Sequence, residues 1–384
     1  MRDPVQSKIA VAVDLSCLLD PPLTGVGYVA LNQMRAMRAH RDQFDLRMFG
    51  ARSRRGPRDA GELHDVFSRV SIISYCRTLK PELWTRANFP PIEWFCGKVD
   101  IAHDFFHQLP AASAAIRMTT IHDLSFIRHP ETHTPETVAQ QTRLVKHAAQ
   151  HADALVVVSE FVKQEVMDLL GVDAARIYVV PNGVDLGEFE GQSDCERLRQ
   201  RYDIKRDYFI YLGTLEARKN LPRFIEAYAR FAKGRDVPNL LLVGKVGWLA
   251  QPVFDAIDRF GVRDRVRQLG HVPREDAIGL LKGAVACVYP SFYEGFGLPA
   301  LEAMAAGTPL IVSKTASLPE VVGNEAAYID PFNVDSIVNA LTQVIDEPEI
   351  AAQRALRAHD RAREFSWARS VDALTRVYRT LANS

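Results

Sequence analysis

No stretch of the 384-residue sequence reaches 18 uninterrupted apolar residues, so no segment is expected to cross a bilayer as a helix. Lying on a membrane surface stays open. Cysteine is scarce: Cys17, Cys76, Cys96, Cys195 and Cys287 are odd in number, widely spaced and include no C-x-x-C pair. That argues against a disulfide or zinc framework and for reduced, mostly buried thiols in a cytoplasmic chain. No signal peptide is expected, because the apolar run 9–13 is stopped by Asp14 and is too short for a signal core. Net charge is missing as well: 47 Lys+Arg balance 47 Asp+Glu, which argues against binding nucleic acid or acidic polymers through an overall field. Neither G-x4-G-K-[ST] nor G-x-S-x-G occurs, so a P-loop and a serine-hydrolase elbow are unsupported. There is no internal repeat and no low-complexity tract.

What is present is an ordinary globular composition, 47% apolar and 24% charged, long enough for two domains or three. Short β-branched runs alternate with amphipathic helical stretches, the pattern of parallel sheets covered by helices on both faces. The first series of strands is expected at 9–14, 44–49, 70–74, 100–103, 118–122, 154–158 and 177–180, with helices near 26–39, 135–150 and 160–170, the last capped by Ser159. A second series of strands follows at 208–213, 240–244, 265–269, 285–289, 309–312 and 326–329, with helices near 220–233, 252–260, 275–282 and 299–306. The turn-rich, polar stretch 181–200 separates the two series. The fold class is therefore α/β with two Rossmann-like doubly wound domains, 1–186 and 187–365, expected to bind ligand in a cleft at the carboxyl ends of their strands. A C-terminal helix, 366–384, is expected to return to the first domain, and across the last fifty residues Leu356, Phe365, Trp367, Leu374 and Tyr378 are the expected docking face.

The most informative stretch is P-S-F-Y-E-G-F-G-L-P-A-L-E-A-M-A-A-G-T-P-L, residues 290–310. Tyr289 ends a strand, the next residues form a loop, and Leu298 opens a helix with Pro299 near its first position. Gly295 and Gly297 would let the backbone approach a ligand and present amides at a helix N-terminus, which suits a phosphate. Glu294 in the loop and Glu302 one turn into the helix fit a nucleotide-sugar site, one acid at the sugar and one at the ribose. The bland alternative is a tight turn with two solvated acids.

Glu294 and Glu302, with seven residues between them, resemble the E-x7-E motif of the retaining glycosyltransferases of family 4, which adopt the GT-B fold of two Rossmann units. T-G-V-G-Y (24–28), I-H-D-L-S-F (121–126), V-S-E-F (158–161), V-P-N-G-V-D (180–185), G-T-L-E-A-R-K-N-L (213–221), L-V-G-K-V-G-W-L (242–249) and S-L-P-E-V-V-G (317–323) follow the family's order. The resemblance covers roughly residues 8 to 370. I-H-D-L-S-F, E-A-R-K-N and G-W-L look most like bacterial mannosyltransferases of O-antigen and capsular polysaccharide synthesis.

The resemblance implies roles for further residues. Arg218 and Lys219 would contact the donor diphosphate, the guanidinium by forked bonds and the ammonium as a compact charge. Otherwise they are an exposed basic pair ahead of an Asn-capped helix. Gly25 and Gly27 also match G-x-G-x-x-A, but the ten residues from Leu15 to Thr24 separate them from the strand, which makes a dinucleotide fingerprint poor. The resemblance places them near donor phosphate or acceptor; the alternative is a flexible turn. Glu294, His122 and Asp123 would form the catalytic set beside the transferred sugar, unless His122 is a hydrogen-bonded structural histidine. Gly244, His271, Val272, Gly295, Phe296, Gly297, Leu298 and Glu302 complete the donor-binding set, Glu302 at the ribose and the loop 270–273 at the base.

No metal is expected. The pairs His103/His107, His129/His133 and His147/His151 have i, i+4 spacing, yet none sits in H-E-x-x-H, and D-x-D is absent. The stretch from Arg35 to Arg58 holds eight arginines against Asp42 and Asp45. It would meet anionic lipid or a lipid diphosphate acceptor, or else face solvent. Trp84, Trp94, Phe105 and Phe106 would add apolar contacts there or belong to the core. The resemblance thus implies a cytoplasmic, membrane-peripheral, retaining enzyme that moves mannose from GDP-mannose to a lipid-linked or growing polysaccharide. A UDP-sugar or GDP-deoxyhexose donor, and an inactive nucleotide-sugar-binding scaffold, are the alternatives. Oligomeric state is left open.

Overall fold

The computed structural model describes residues 8–19, 23–52, 61–74, 79–191 and 194–384. Cys76, Arg54, Arg55 and Arg58 lie outside them. The chain divides into two compact units. The first holds the described residues up to Leu124 together with Ala139–Gly183 and Trp367–Ser384, and the second holds Ser125–Val138 and Val184–Ser366.

The first unit is built on a seven-stranded parallel sheet of β1 (Ile9–Asp14), β2 (Phe44–Arg52), β3 (Arg69–Ser74), β4 (Ile101–Asp104), β5 (Ile116–Ile121), β6 (Ala154–Val157) and β7 (Ile177–Val179). Its order is β3-β2-β1-β4-β5-β6-β7, so the winding reverses between β1 and β4. Parallel strands covered on both faces read as continuous apolar runs, and β6 is buried at every position. Ser159 caps the helix Glu160–Leu170 as expected, accepting from the Val162 amide at 3.2 Å.

The second unit carries β8 (Tyr208–Leu212), β9 (Asn239–Val243), β10 (Val266–Gly270), β11 (Ala286–Tyr289), β12 (Leu310–Ser313) and β13 (Ala327–Ile329). Here the order is β10-β9-β8-β11-β12-β13, all parallel, with the reversal between β8 and β11. In doubly wound sheets the ligand crevice opens at the carboxyl ends of the strands flanking that reversal. The segment Ser125–Val138, read from sequence as part of the first domain, groups with this unit. It is held there by Trp248 Nε1, which donates to the Thr132 carbonyl at 3.1 Å, and by the His133 ring stacked on Trp248.

The C-terminal helix Trp367–Asn383 belongs to the first unit. Val371, Leu374 and Tyr378 enter the core that also holds Val11, Met34 and Phe44. Tyr378 OH meets His103 Nδ1 at 2.8 Å, Gln33 Nε2 donates to Ser370 Oγ at 2.9 Å, and Tyr28 meets Trp367 edge to face. Leu356 is a correction: it lies on the helix Pro348–Ala362 and is 68% exposed, because Ala351, Ala355, Ala358 and Ala362 form the buried stripe of that helix. Among the described residues no helix is long and apolar enough to cross a membrane.

Candidate functional site

The loop after β8 and the loop after β11 meet where the second sheet reverses its winding. Two glycines make the first loop possible. Gly213 and Gly244 sit at the carboxyl ends of β8 and β9 with φ of 149° and 143°, and a Cβ on Gly244 would lie 1.9 Å from the Gly213 carbonyl oxygen. Only glycine at 244 lets these backbones touch. Beyond Gly213 the chain makes a 3-10 turn, Ala217–Lys219, and places its charges inward.

Lys219 Nζ donates to Glu294 Oε1 at 2.8 Å and to Tyr289 OH at 3.0 Å. Arg218 Nη1 lies 3.1 Å from Glu294 Oε2 and donates to the Tyr293 carbonyl at 2.6 Å, while Nη2 donates to Glu216 Oε1 at 2.9 Å. Lys219, Glu216 and Glu294 are buried, so two cations and two carboxylates form a neutral cluster. Burial alone would raise the Glu294 carboxyl, but Arg218 and then Lys219 outweigh it and hold the pKa at about 2. Glu294 is thus a fixed anion. The solvated-acid alternative fails here, and so does the exposed basic pair. Asn220 is no side-chain cap either: it sits at φ 57°, and its Nδ2 donates to the carbonyls of Pro290 and Pro331, tying the two loops together.

The helix Leu298–Ala305 starts at Gly297, whose φ of 98° and packing under Leu318 admit no side chain. Pro299 occupies the first turn and no side chain caps it. Gly295 and Phe296 are buried, Phe296 edge to face with Phe365. Glu302 is buried one turn in, yet its surroundings are the reverse of those of Glu294. Burial raises its pKa, with Arg274 opposing. Arg274 Nη1 donates to Glu302 Oε1 while its Nε and Nη2 both donate to Glu188 Oε2, at 3.1 and 2.9 Å. Of the expected base loop, Val272 is buried and His271 exposed, and Gly270 turns it with φ 70°.

In the first unit Gly25 and Gly27 open the helix Gly25–Met37, which Thr24 caps by accepting from the Gly27 amide. They differ in kind. A Cβ on Gly27 would crowd Leu23 and the Cys17 carbonyl, whereas Gly25 has no neighbour within 4 Å among the described residues. His122 follows β5, with Asp123 half-buried beside it. His122 Nε2 donates to the Phe105 carbonyl at 2.8 Å, and its backbone amide donates to His107 Nε2 at 3.1 Å. Burial and then the His107 ring push the His122 pKa down to about 4, so the ring is neutral at neutral pH. Its Nδ1 is the remaining acceptor.

Sequence reasoning missed Glu216, Glu188, Arg274 and a buried cluster where β1 meets β4. There Lys80 Nζ pairs with Asp14, and Asp104 Oδ1 accepts the amides of Phe106 and Gln108. Burial, then Asp14, raise Asp104 to about 7. Glu216 lies inside the motif 213–221, but nothing in its spacing marks it. Lys80 is 66 residues from Asp14, a separation no local pattern bridges.

Of the paired histidines, His103 meets Tyr378 and Thr120, His107 meets Gln141, His133 meets Ser125 Oγ and His129 meets Glu131, while the rings of His147 and His151 lie 4.7 Å apart. Among the described residues no group of three His, Cys, Asp or Glu is arranged to hold a metal. Of the described arginines in the 35–58 stretch, Arg38 pairs with Asp65, and Arg47 pairs with Asp45 and donates to the carbonyls of Cys96 and Lys98. Trp84 and Phe105 are core, while Trp94 is 67% exposed and Phe106 41%. Cys96 and Cys287 are buried, but Cys195 is exposed.

Comparison with known proteins covers both units. The model of Glycosyltransferase Family 4 matches residues 23–188, and that of Glycosyl transferases group 1 matches residues 194–363. O-antigen chain mannosyltransferase B of Escherichia coli is 33% identical over 270 residues, 69% of this chain and 70% of that one. Among solved structures, sucrose-phosphate synthase (tll1590) of Thermosynechococcus elongatus superposes with a TM-score of 0.75 at 20% identity, covering 98% of this chain and 100% of that one. Anabaena Alr3699/HepE in complex with UDP and glucose gives 0.71 at 18% identity, with the same coverage of 98% and 100%.

Proposed function

This chain belongs to the family 4 glycosyltransferases of the GT-B fold, and we propose that it transfers mannose from GDP-mannose, with retention, to a lipid-linked or growing polysaccharide. The observation that carries the reading is the anionic Glu294 clamped between Arg218 and Lys219 at the reversal of the second sheet. A diphosphate entering here would share Arg218 and Lys219 with Glu294 and Glu216, and the two cations would offset part of its charge. Arg218 and Lys219 then stabilise the departing nucleotide, and Glu294 faces the positive character that develops on the sugar. The acceptor oxygen bonds to the anomeric carbon on the face from which the phosphate oxygen departs. The leaving phosphate takes the acceptor proton.

Glu302 accepts from the ribose hydroxyls. His122 gives its neutral Nδ1 to a sugar hydroxyl, with Asp123 beside it. The Gly295–Leu298 amides approach phosphate, and His271 and Val272 flank the base. No protein-bound metal takes part. Mannose and the polysaccharide acceptor rest on the relative from Escherichia coli, whose name carries both O-antigen and mannose. An acceptor on a lipid carrier puts the work at the inner face of the cytoplasmic membrane, where exposed Trp94 and Phe89 offer apolar contact.

A UDP-sugar is the second reading, since the HepE structure holds UDP and glucose. Donor turnover over a panel of GDP- and UDP-sugars, with the anomeric configuration of the product read by NMR, decides between them. Turnover confined to GDP-mannose with an α product supports the reading. A UDP-sugar preference replaces the donor, inversion removes the mechanism, and absence of both turnover and binding removes the enzyme.

A further inference from the structure

Among the described residues Arg274 is the cation paired with Glu302, and its own position is fixed from three sides. It stands 28 residues before Glu302, at the start of the helix Arg274–Lys282. Its guanidinium forks onto Glu188 Oε2, lies 5.5 Å over the Phe189 ring and reaches Glu302 Oε1. Glu188 and Phe189 belong to the 3-10 turn Leu186–Phe189, which Asp185 caps. A buried carboxylate would otherwise favour its protonated form and be free to rotate. Arg274 opposes both tendencies on one oxygen and leaves Oε2 of Glu302 for a ligand.

We infer that Arg274 is a positioning residue for ribose recognition, anchored by Glu188 and Phe189, which orients the Glu302 carboxyl so that the nucleotide is read by its cis-diol. This rests on the proposed role of Glu302. Hydroxyl donors meeting a charged acceptor contribute enough to discriminate a ribonucleotide from its dideoxy counterpart by about 10- to 100-fold. The ligand class is a ribonucleoside diphosphate. The diol rather than the base is the feature that Arg274 controls.

The test is calorimetric binding of GDP, UDP and their 2′,3′-dideoxy forms to the full chain. Wild type should prefer each ribonucleotide by about 10- to 100-fold. Arg274→Gln should bring that ratio near unity by weakening the ribonucleotides alone, and Arg274→Lys, a charge without the fork, should restore part of it. Glu188→Gln should lower the ratio less than Arg274→Gln. If Arg274→Gln weakens ribo and dideoxy forms equally, Arg274 is merely structural and the inference is overturned. Should Glu302→Gln keep the full ratio, the ribose role of Glu302 falls first. If Glu302→Gln loses the ratio and Arg274→Gln keeps it, only the Arg274 inference falls. Near-ultraviolet circular dichroism and melting of each variant separate misfolding from lost recognition.

Discussion

Lys219 Nζ and Glu294 Oε1, 75 residues apart in sequence, stand 2.8 Å apart in the second unit. The pair joins the loop after β8 to the loop after β11, and it is closed by Arg218 on the other carboxylate oxygen. Glu294→Gln keeps the shape and a hydrogen-bonding oxygen but removes the charge. Transfer should fall by ~100- to 1000-fold, the size of losing one preorganised electrostatic contact at a reacting centre. GDP should still bind, because Arg218 and Lys219 remain. Single-turnover transfer beside calorimetric GDP binding checks this, and wild-type turnover by the variant would refute the role given to Glu294.

The same pair sets an acid limit. Glu294 has a folded pKa of about 2 against an ordinary 4.5. Between those values the unfolded chain binds the proton and the folded chain does not, so stability from this group is full above about 4.5 and is lost as pH falls towards 2. The difference in unfolding free energy between wild type and Glu294→Gln should therefore be constant above pH ~5 and shrink below it. The total is on the order of 3 kcal/mol. Urea titrations at a series of pH values measure it. A difference that does not change with pH would contradict the ion pairing.

The two doubly wound units were legible in the sequence because each strand is a short apolar run set off by turn residues, and Ser159 marks its helix by capping chemistry that is local. Glu294, Glu302, Arg218 and Lys219 were legible as motif positions. Their pairing was not. Nothing in the spacing of 218 and 294 says that the acid saturates the base, and Glu216 looks like any exposed motif residue until its burial is seen. Arg274 was hidden for the same reason, since its partners lie 28 and 86 residues away. Leu356 misled because an apolar residue in a helical stretch looks like core, whereas four alanines form the buried stripe.

Gly244 and Gly25 should respond to alanine in opposite ways. At 244 the Cβ would stand 1.9 Å from the Gly213 oxygen at a φ of 143°, so Gly244→Ala should unfold or mislocate the end of β9 and cost several kcal/mol. Gly25 opens a helix with nothing within 4 Å among the described residues, so Gly25→Ala should leave melting within ~0.5 kcal/mol of wild type. If that turn approaches a ligand, KM for donor or acceptor should nevertheless rise. Thermal melting and steady-state kinetics on both variants distinguish a packing glycine from a ligand-facing one. Unchanged kinetics in Gly25→Ala would remove Gly25 from the site.

Metal-free chemistry has a direct check. In the proposed mechanism Arg218 and Lys219 would supply the positive charge that a divalent ion otherwise brings to a diphosphate. Transfer should survive exhaustive EDTA treatment and gain less than twofold from added magnesium or manganese. Loss on chelation, restored by one metal, would replace the cation-pair account.

The C-terminal helix is tied to the first unit by a buried polar contact, Tyr378 OH to His103 Nδ1 at 2.8 Å, inside an otherwise apolar core. His103 Nε2 is already engaged with Thr120. Tyr378→Phe keeps the ring and leaves the imidazole nitrogen unpaired where water does not reach, a cost of ~1–3 kcal/mol. In a unit of this size that corresponds to a fall of ~2–4 °C in Tm for each kcal/mol. Amide exchange should accelerate across the helix Trp367–Asn383 more than across the helix Pro348–Ala362, which belongs to the other unit. Leu356→Ser is the matched control: its side chain is exposed, and the variant should melt with wild type. Equal melting of Tyr378→Phe and wild type would mean that the hydroxyl contributes nothing and that apolar packing of Val371, Leu374 and the Tyr378 ring alone holds the helix in place.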